Sequence, residues 1–255
     1  MNPAEYENLL RAEERMWWFD GMRDILFRLL HPHAAALSGA RMLEVGCGTG
    51  YNARLLEDRY RCAVTALDLS APALRHCRRR GLNSVVRGNL ASLPFRSHSF
   101  DAAMALDVLV YFPPGSEHTA MRELARVVRP GGLVVVRVAA LNWLRSRHSS
   151  FVGEVQRFTR SSLLASARAA ALSPLRCTYA NSLLLPLAAF KFRIWEPLTR
   201  AQPESGVTMP PAWLNHSFRA ALRAEAAWIA SGRHLPCGQS LVMIARTPAG
   251  DGLPL

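Results

Sequence analysis

The residues best placed to do chemistry lie close together in LEVGCGTG, residues 43–50. A buried-looking apolar run ends on an acid, Glu44, and Gly46, Gly48 and Gly50 follow at every second position, with Cys47 between the first two. Glycines in a turn after a strand let the backbone approach a ligand closely. Two phosphate-binding arrangements compete for such a turn, and neither fits. The dinucleotide fingerprint requires its third glycine at 51, where this chain has Tyr51, and no Gly-Lys-Ser/Thr follows as a P-loop demands. Glu44 would repel a pyrophosphate but suits a ligand with a positively charged end.

S-adenosylmethionine is a nucleoside with an ammonium, a sulfonium and no phosphate, and it matches those requirements. A second acid supports it. Asp68 closes the apolar run of TALD, where a carboxylate can accept hydrogen bonds from both hydroxyls of a ribose.

These residues need elements to hold them. Residues 5–30 have near-helical apolar spacing around the aromatic knot WWF. From residue 40 the chain alternates regularly. Strands are expected at ARMLEV, CAVTALD, NSVVRG, FDAAMALD and GLVVVRVA, with helices at YNARLLEDRY, APALRHCRRRG and EHTAMRELARVV between them. After 140 come a helix at RFTRSSLLASARAAALS, capped by Thr159 or Ser161, and a strand at LRCTYA. An apolar segment follows, broken by Pro186. A polar, proline-rich loop over 199–211 leads to a helix over 212–231 and a last strand, GQSLVMIAR. The pattern predicts an α/β fold: a Rossmann-like, seven-stranded, mostly parallel sheet with helices on both faces. Residues 1–38 would form a helical cap and 39–140 the cofactor-binding core. Residues 141–255 would complete the same domain, with a helical insertion on the substrate side.

Composition sets the remaining bounds. The formal charge of +12 invites a nucleic-acid reading, but Lys191 is the only lysine and the arginines are spread along an alanine-rich chain. RHCRRR, residues 75–80, is the single local cluster and reads as a solvated helix end. Five cysteines without C-x-x-C spacing read as reduced thiols and predict no metal site. No apolar run has membrane-spanning length, and the charged N-terminal stretch lacks a leader pattern. A cytoplasmic protein is the expectation; the sequence says nothing of oligomeric state.

The chain as a whole resembles the class I S-adenosylmethionine-dependent methyltransferases. LEVGCGTG is similar to their first motif, LDLS to the second, and VRGNLASLPFRSHSFDAAMALDVLVYF to the third and fourth. LARVVRPGGLVVVRV resembles their helix-to-strand passage, while AEERMWWFDGMRDIL and the stretch from 209 to 246 resemble the flanks of a bacterial subgroup. The resemblance implies a role for each site residue. Gly46, Cys47, Gly48 and Gly50 would admit the methionyl part, with Glu44 near its amino group. Asp68 would hold the ribose, and Leu69 and Leu90 would border the adenine. Asn89 stands where relatives have an aspartate facing the adenine amine, and its side-chain oxygen can accept the same hydrogen bond. Asp107 would lie beside the methionyl group. Two further departures, Tyr111 and Met16 where relatives often have histidine, leave either a specialised acceptor or a weakened activity open.

Methyl transfer from a sulfonium is an in-line displacement that mainly requires alignment and exclusion of water. A hydroxyl acceptor would also need a base, and Tyr111, His148 and Asp107 form the shortlist. Tyr111 could equally be a pocket wall, and His148, in the polar loop RSRHSSF, a surface histidine. Trp17, Trp18 and Phe19 could close over the cofactor as a lid, with Trp17 and Trp18 against the substrate, or staple the N-terminal helix to the domain. Arg157 could pair with an anionic acceptor or cap a helix. Residues 183–195 could lie on a membrane surface, or form a lid over the site. The expected function is methyl transfer to a small or amphiphilic acceptor, at oxygen. A peptide or protein methyltransferase, and a binder of the cofactor without transfer, are the alternatives.

Overall fold

The computed structural model describes residues 5–199 and 202–249. Helices α1 (Glu5–Ala12), α2 (Trp17–Leu30) and the short α3 (Ala34–Leu37) precede the sheet. There follow β1 (Arg41–Val45), α4 (Tyr51–Tyr60), β2 (Ala63–Asp68), α5 (Ala71–Arg79), β3 (Ser84–Arg87) and β4 (Phe100–Leu106). Next come α6 (Glu117–Val127), β5 (Val128–Ala139), α7 (Arg147–Val152), α8 (Arg160–Ala169) and β6 (Ser173–Ala180). The chain continues through α9 (Leu185–Phe190), a π-helical turn at Lys191–Trp195, α10 (Glu196–Thr199), α11 (Ala212–Ala230) and β7 (Ser240–Arg246).

The strands form one sheet in the order β3-β2-β1-β4-β5-β7-β6, parallel except for β7, which runs antiparallel to both β5 and β6. The order reverses direction at β1, so the carboxyl ends of β1 and β4 open a crevice between them, the usual ligand position in such sheets. Both faces are covered. Met42, Val64, Met104 and Val135 pack under α2, α4 and α11, while Leu43, Val45, Val134 and Val136 pack under α6 and α8. Burial on both faces is why these strands read as continuous apolar runs instead of alternating ones.

Helix α11 returns across the sheet to lie on α2, and Gly21 permits the contact. A Cβ at that position would come within 2.3 Å of Leu222 Cδ1. The N-terminal cap is thereby locked to the last helix, and Asn215 on α11 accepts from the Trp17 backbone N–H at 2.8 Å.

The structure departs from the sequence reading at three places. The helix expected over 5–30 is interrupted at residues 13–16, where Met16 is extended. RSRHSSF is a helix, α7, whose N-cap Ser146 accepts from the Ser149 N–H in a capping box. Pro186 begins α9 instead of breaking it, because a first-turn residue has no intrahelical N–H to lose. Of the two N-caps expected for α8, the structure uses Thr159, which accepts from the Ser162 N–H.

Candidate active site

Glycines of the turn after β1 serve different ends. Gly46, Gly48 and Gly50 all have positive φ, of 68°, 56° and 80°. At Gly50 a Cβ would meet Leu82 and Cys77, so the residue is needed for packing of α4 against its neighbours. At Gly48 a Cβ would meet nothing within 4 Å, so this stretch of backbone faces open space at the ligand's side. The turn is tied to β2, with the Gly46 and Cys47 N–H groups donating to the Leu67 carbonyl at 2.7 and 3.1 Å. The Cys47 thiol rests 3.6 Å from that of Cys77, a contact that raises its pKa together with burial.

Two strand-end acids flank the turn. Glu44 is fully buried, and its Oε2 has no hydrogen-bond partner. Burial pushes its pKa up to about 8, against the pull of Arg137 and the Ala53 N–H. Asp68 accepts from the Gly48 N–H at 3.0 Å through Oδ2 and from the Ser70 N–H at 2.8 Å through Oδ1. The Tyr6 hydroxyl reaches the same Oδ1 at 3.5 Å, bringing α1 over the site. Leu69, just beyond, borders the cavity and is 63% exposed. Leu90 is buried, and Asn89 is exposed with its Oδ1 accepting from the Ala91 N–H at 2.9 Å.

Asp107, at the end of β4, does not stand alone. Its φ is 57°, its N–H donates to the Arg137 carbonyl, and its Oδ2 accepts from Arg137 Nε and Nη2 at 2.9 and 2.5 Å. The same guanidinium lies over the Trp18 ring at 4.9 Å. Trp18 thus sits inside the site, and Trp17 packs edge-on against Phe218 of α11 at 5.1 Å.

Glu44, Gly46, Gly48, Asp68, Asp107 and Trp18 line one cavity of about 1080 Å³, which continues from the glycine turn past Tyr111, His148 and Arg157 to α9, the π turn and the loop over 204–210. Single-ligand pockets run to roughly 300–1,000 Å³, so the space suits a cofactor with an acceptor beside it. The shortlisted bases sit there in distinct states. Burial, with Asp107 nearby, raises the Tyr111 pKa further above its usual value. His148 accepts from the Gly206 N–H at 3.0 Å through Nδ1, which leaves the proton of the neutral ring on Nε2, and burial lowers its pKa. Arg157 is neither free nor a helix cap, since Glu154 Oε1 holds its Nε at 2.6 Å.

The structure adds residues that the sequence reading passed over. Glu13 accepts from Thr49 Oγ1 and from Arg80 Nη2, both at 2.5 Å, and so clamps the glycine turn to the cap. Buried Glu5 accepts from Ser205 at 3.0 Å and lies 3.8 Å from His148, joining α1 to the loop over 204–210. Arg137 had a legible signal, a cation inside the apolar run LVVVRV. Tyr6, Glu13 and Glu5 had none.

The residues fit S-adenosylmethionine. An orphaned buried carboxylate oxygen awaits a cation, an open turn backbone lies beside it, and an acid with an apolar neighbour ends the next strand. Strand order and site are in line with an S-adenosylmethionine-dependent methyltransferase domain, and the comparisons support that class. Residues 43–136 match the family model described as a methyltransferase domain. The chain is 38% identical over 120 residues to a fatty-acid O-methyltransferase of Mycolicibacterium smegmatis, covering 44% of this chain and 43% of that one. It is also 38% identical over 112 residues to a malonyl-[acyl-carrier protein] O-methyltransferase of Erwinia pyrifoliae, covering 42% and 40%. The chain therefore spans less than half the length of these curated relatives. Among solved structures, an S-adenosylmethionine-dependent methyltransferase from Mesorhizobium loti shares the fold, with a TM-score of 0.55 at 18% identity over 85% of this chain and 97% of the other.

Proposed function

We propose that this protein transfers a methyl group from S-adenosylmethionine to an oxygen of an amphiphilic acceptor, and that this oxygen belongs to a carboxylate. The observation that carries the reading is the acceptor end of the cavity. It combines apolar walls (Leu184, Ala188, Phe192 and Val207) with Lys191, a cation in no ion pair among the described residues. An apolar tail fits the first and a carboxylate the second.

When bound, the cofactor supplies a methyl group made electrophilic by its sulfonium. Glu44 would take the ammonium and Asp68 the ribose hydroxyls, while α1 and Trp18 exclude water from above. No shortlisted base is poised to remove a proton. Tyr111 is held protonated, Asp107 is committed to Arg137, and the one basic nitrogen of neutral His148 already accepts from Gly206. A carboxylate is ionised at neutral pH and needs no base. On transfer its lone pair would take up the methyl group while the electron pair of the S–CH3 bond would stay on sulfur, so a neutral ester and a thioether would form and no residue of this chain would have to accept a proton. His148 Nε2–H can donate to the carboxylate and orient it. The names of both curated relatives, which specify a fatty acid and an acyl carrier, are in line with such an acceptor.

The test is mass spectrometry of products after incubating the protein and cofactor with chain-matched fatty acids, alcohols and amines. Methyl esters from the acids alone are expected, along with reduced turnover for Lys191→Gln. Methylation of the alcohols or amines in preference to the acids would overturn the carboxylate assignment.

A further inference from the structure

Residues 183–198, helical from Leu185, form one wall of the cavity, and apolar side chains stand on both faces of this stretch. Its inner face, Leu184, Ala188, Phe192 and Glu196, lines the cavity, and Glu196 is anchored by the Arg147 N–H at 2.8 Å. On the outer face, Phe190, Ile194 and Leu198 follow at steps of four residues, the spacing of one helix face, and they are joined by Leu183 in the preceding turn and by Leu187, which also borders the cavity. These five side chains are 49–74% exposed, and Trp195 adds a sixth at 56%. Isolated exposed leucines are ordinary, but a continuous stripe along a helix marks a surface that something covers. Lys191 faces the cavity, whereas Arg193 does not line it and forms no ion pair among the described residues. Pro210 and Leu214 border the same cavity, and beside them Met209 and Trp213 are 47% and 70% exposed.

We propose that this outer face docks on the surface of a bilayer containing anionic lipid. An apolar stripe with an aromatic residue and a cation, Arg193, beside it is the pattern of a helix lying in the headgroup region, and the cation favours a negatively charged surface over a neutral one. No helix among the described residues is long and apolar enough to cross a membrane, so the contact is peripheral. Docking would set the cavity wall itself at the lipid boundary, giving an amphiphilic acceptor a route from the bilayer into the site without passing through water. The proposal rests on the placement of the stripe. Only its last consequence depends on the acceptor being amphiphilic.

The test is flotation of the full chain with vesicles of phosphatidylcholine alone and of phosphatidylcholine mixed with phosphatidylglycerol. Binding to the mixed vesicles, weakened by salt, is expected. Ile194→Ser with Leu198→Ser should reduce it by about tenfold or more, since both side chains point away from the cavity and supply the buried apolar area. Arg193→Gln should weaken binding to the mixed vesicles only. S-adenosylhomocysteine affinity, measured by calorimetry, should be the same in the double variant as in the parent, showing that the fold is intact. Three results would overturn the proposal: vesicle binding unchanged in the double variant, equal binding to neutral vesicles, or a parent dimer that the double variant converts to monomer. Loss of S-adenosylhomocysteine binding in the parent would instead sink the methyltransferase reading and leave the vesicle result standing.

Discussion

Replacing Glu44 with glutamine tests the electrostatic logic of the site, because the two side chains have nearly the same shape and differ in whether they can ionise. Burial pushes the Glu44 pKa up to about 8, so without ligand the carboxyl is protonated at neutral pH. A ligand ammonium beside Glu44 favours the carboxylate, so binding must expel a proton whenever the pH lies below about 8. S-adenosylhomocysteine has the ammonium without the reactive methyl and is the convenient probe. Its affinity should climb with pH and level off near 8. Between pH 6 and pH 8 the ionised fraction rises about fiftyfold, a gain of roughly 2 kcal/mol, since the carboxyl is half ionised at its pKa. Glu44→Gln should flatten that profile and weaken binding at pH 8 by roughly 1.5–3 kcal/mol, the worth of a charge-assisted hydrogen bond. The same shift has a consequence for stability. The folded pKa is raised, so the stabilising contribution is fully present below the ordinary carboxyl value of 4.5 and is lost as pH rises through about 8. Glu44→Gln should therefore become increasingly stabilising to the ligand-free protein over that window, with about 5 kcal/mol as the ceiling. Calorimetric titration in two buffers of different ionisation enthalpy counts the protons released: close to one at pH 6, falling to none above pH 9. Parent affinity that is flat with pH, with no proton release, would refute the reasoning.

Three further outcomes follow from the geometry. Asp68→Ala removes the acceptor of the Gly48 and Ser70 N–H groups and should weaken S-adenosylhomocysteine binding by roughly 1–3 kcal/mol in the same calorimeter; unchanged affinity would take Asp68 out of the site. Gly21→Ala forces a methyl to within 2.3 Å of Leu222 and should cost about 1–3 kcal/mol in denaturant unfolding, despite alanine's better helix propensity. A gain in stability would mean that α2 and α11 part easily. Arg137→Met strands Asp107 without its cation and should cost roughly 1–2 kcal/mol of stability, a low figure because Asp107 keeps 31% of its side-chain surface in solvent. Its Tm, measured beside that of an Asp107→Asn, Arg137→Met double variant, should recover in the double.

The sheet was legible because its strands are buried on both faces and so appear as apolar runs closed by an acid or a glycine. Glu44, Asp68 and Asp107 were legible for a related reason: an acid at the end of such a run emerges at the crevice. The glycine turn could be read from spacing alone, although spacing did not distinguish Gly50, which serves packing, from Gly48, which borders the open cavity. What the sequence hid was tertiary pairing. Nothing in EYENLLRAEE shows that Tyr6 meets Asp68 or that Glu13 meets Thr49, contacts that span 62 and 36 residues of sequence. His148 was hidden in a different way. Its reading as a base or a surface group turned on a single backbone N–H, from Gly206, in a loop without a periodic pattern.

The most direct measurement is parallel calorimetric titration of the protein with S-adenosylmethionine, S-adenosylhomocysteine and NAD at pH 8. The account predicts micromolar binding of both adenosyl ligands and none of NAD, because Glu44 attracts an ammonium and repels a pyrophosphate. NAD bound as tightly as the adenosyl ligands, or no adenosyl ligand bound at all, would contradict it.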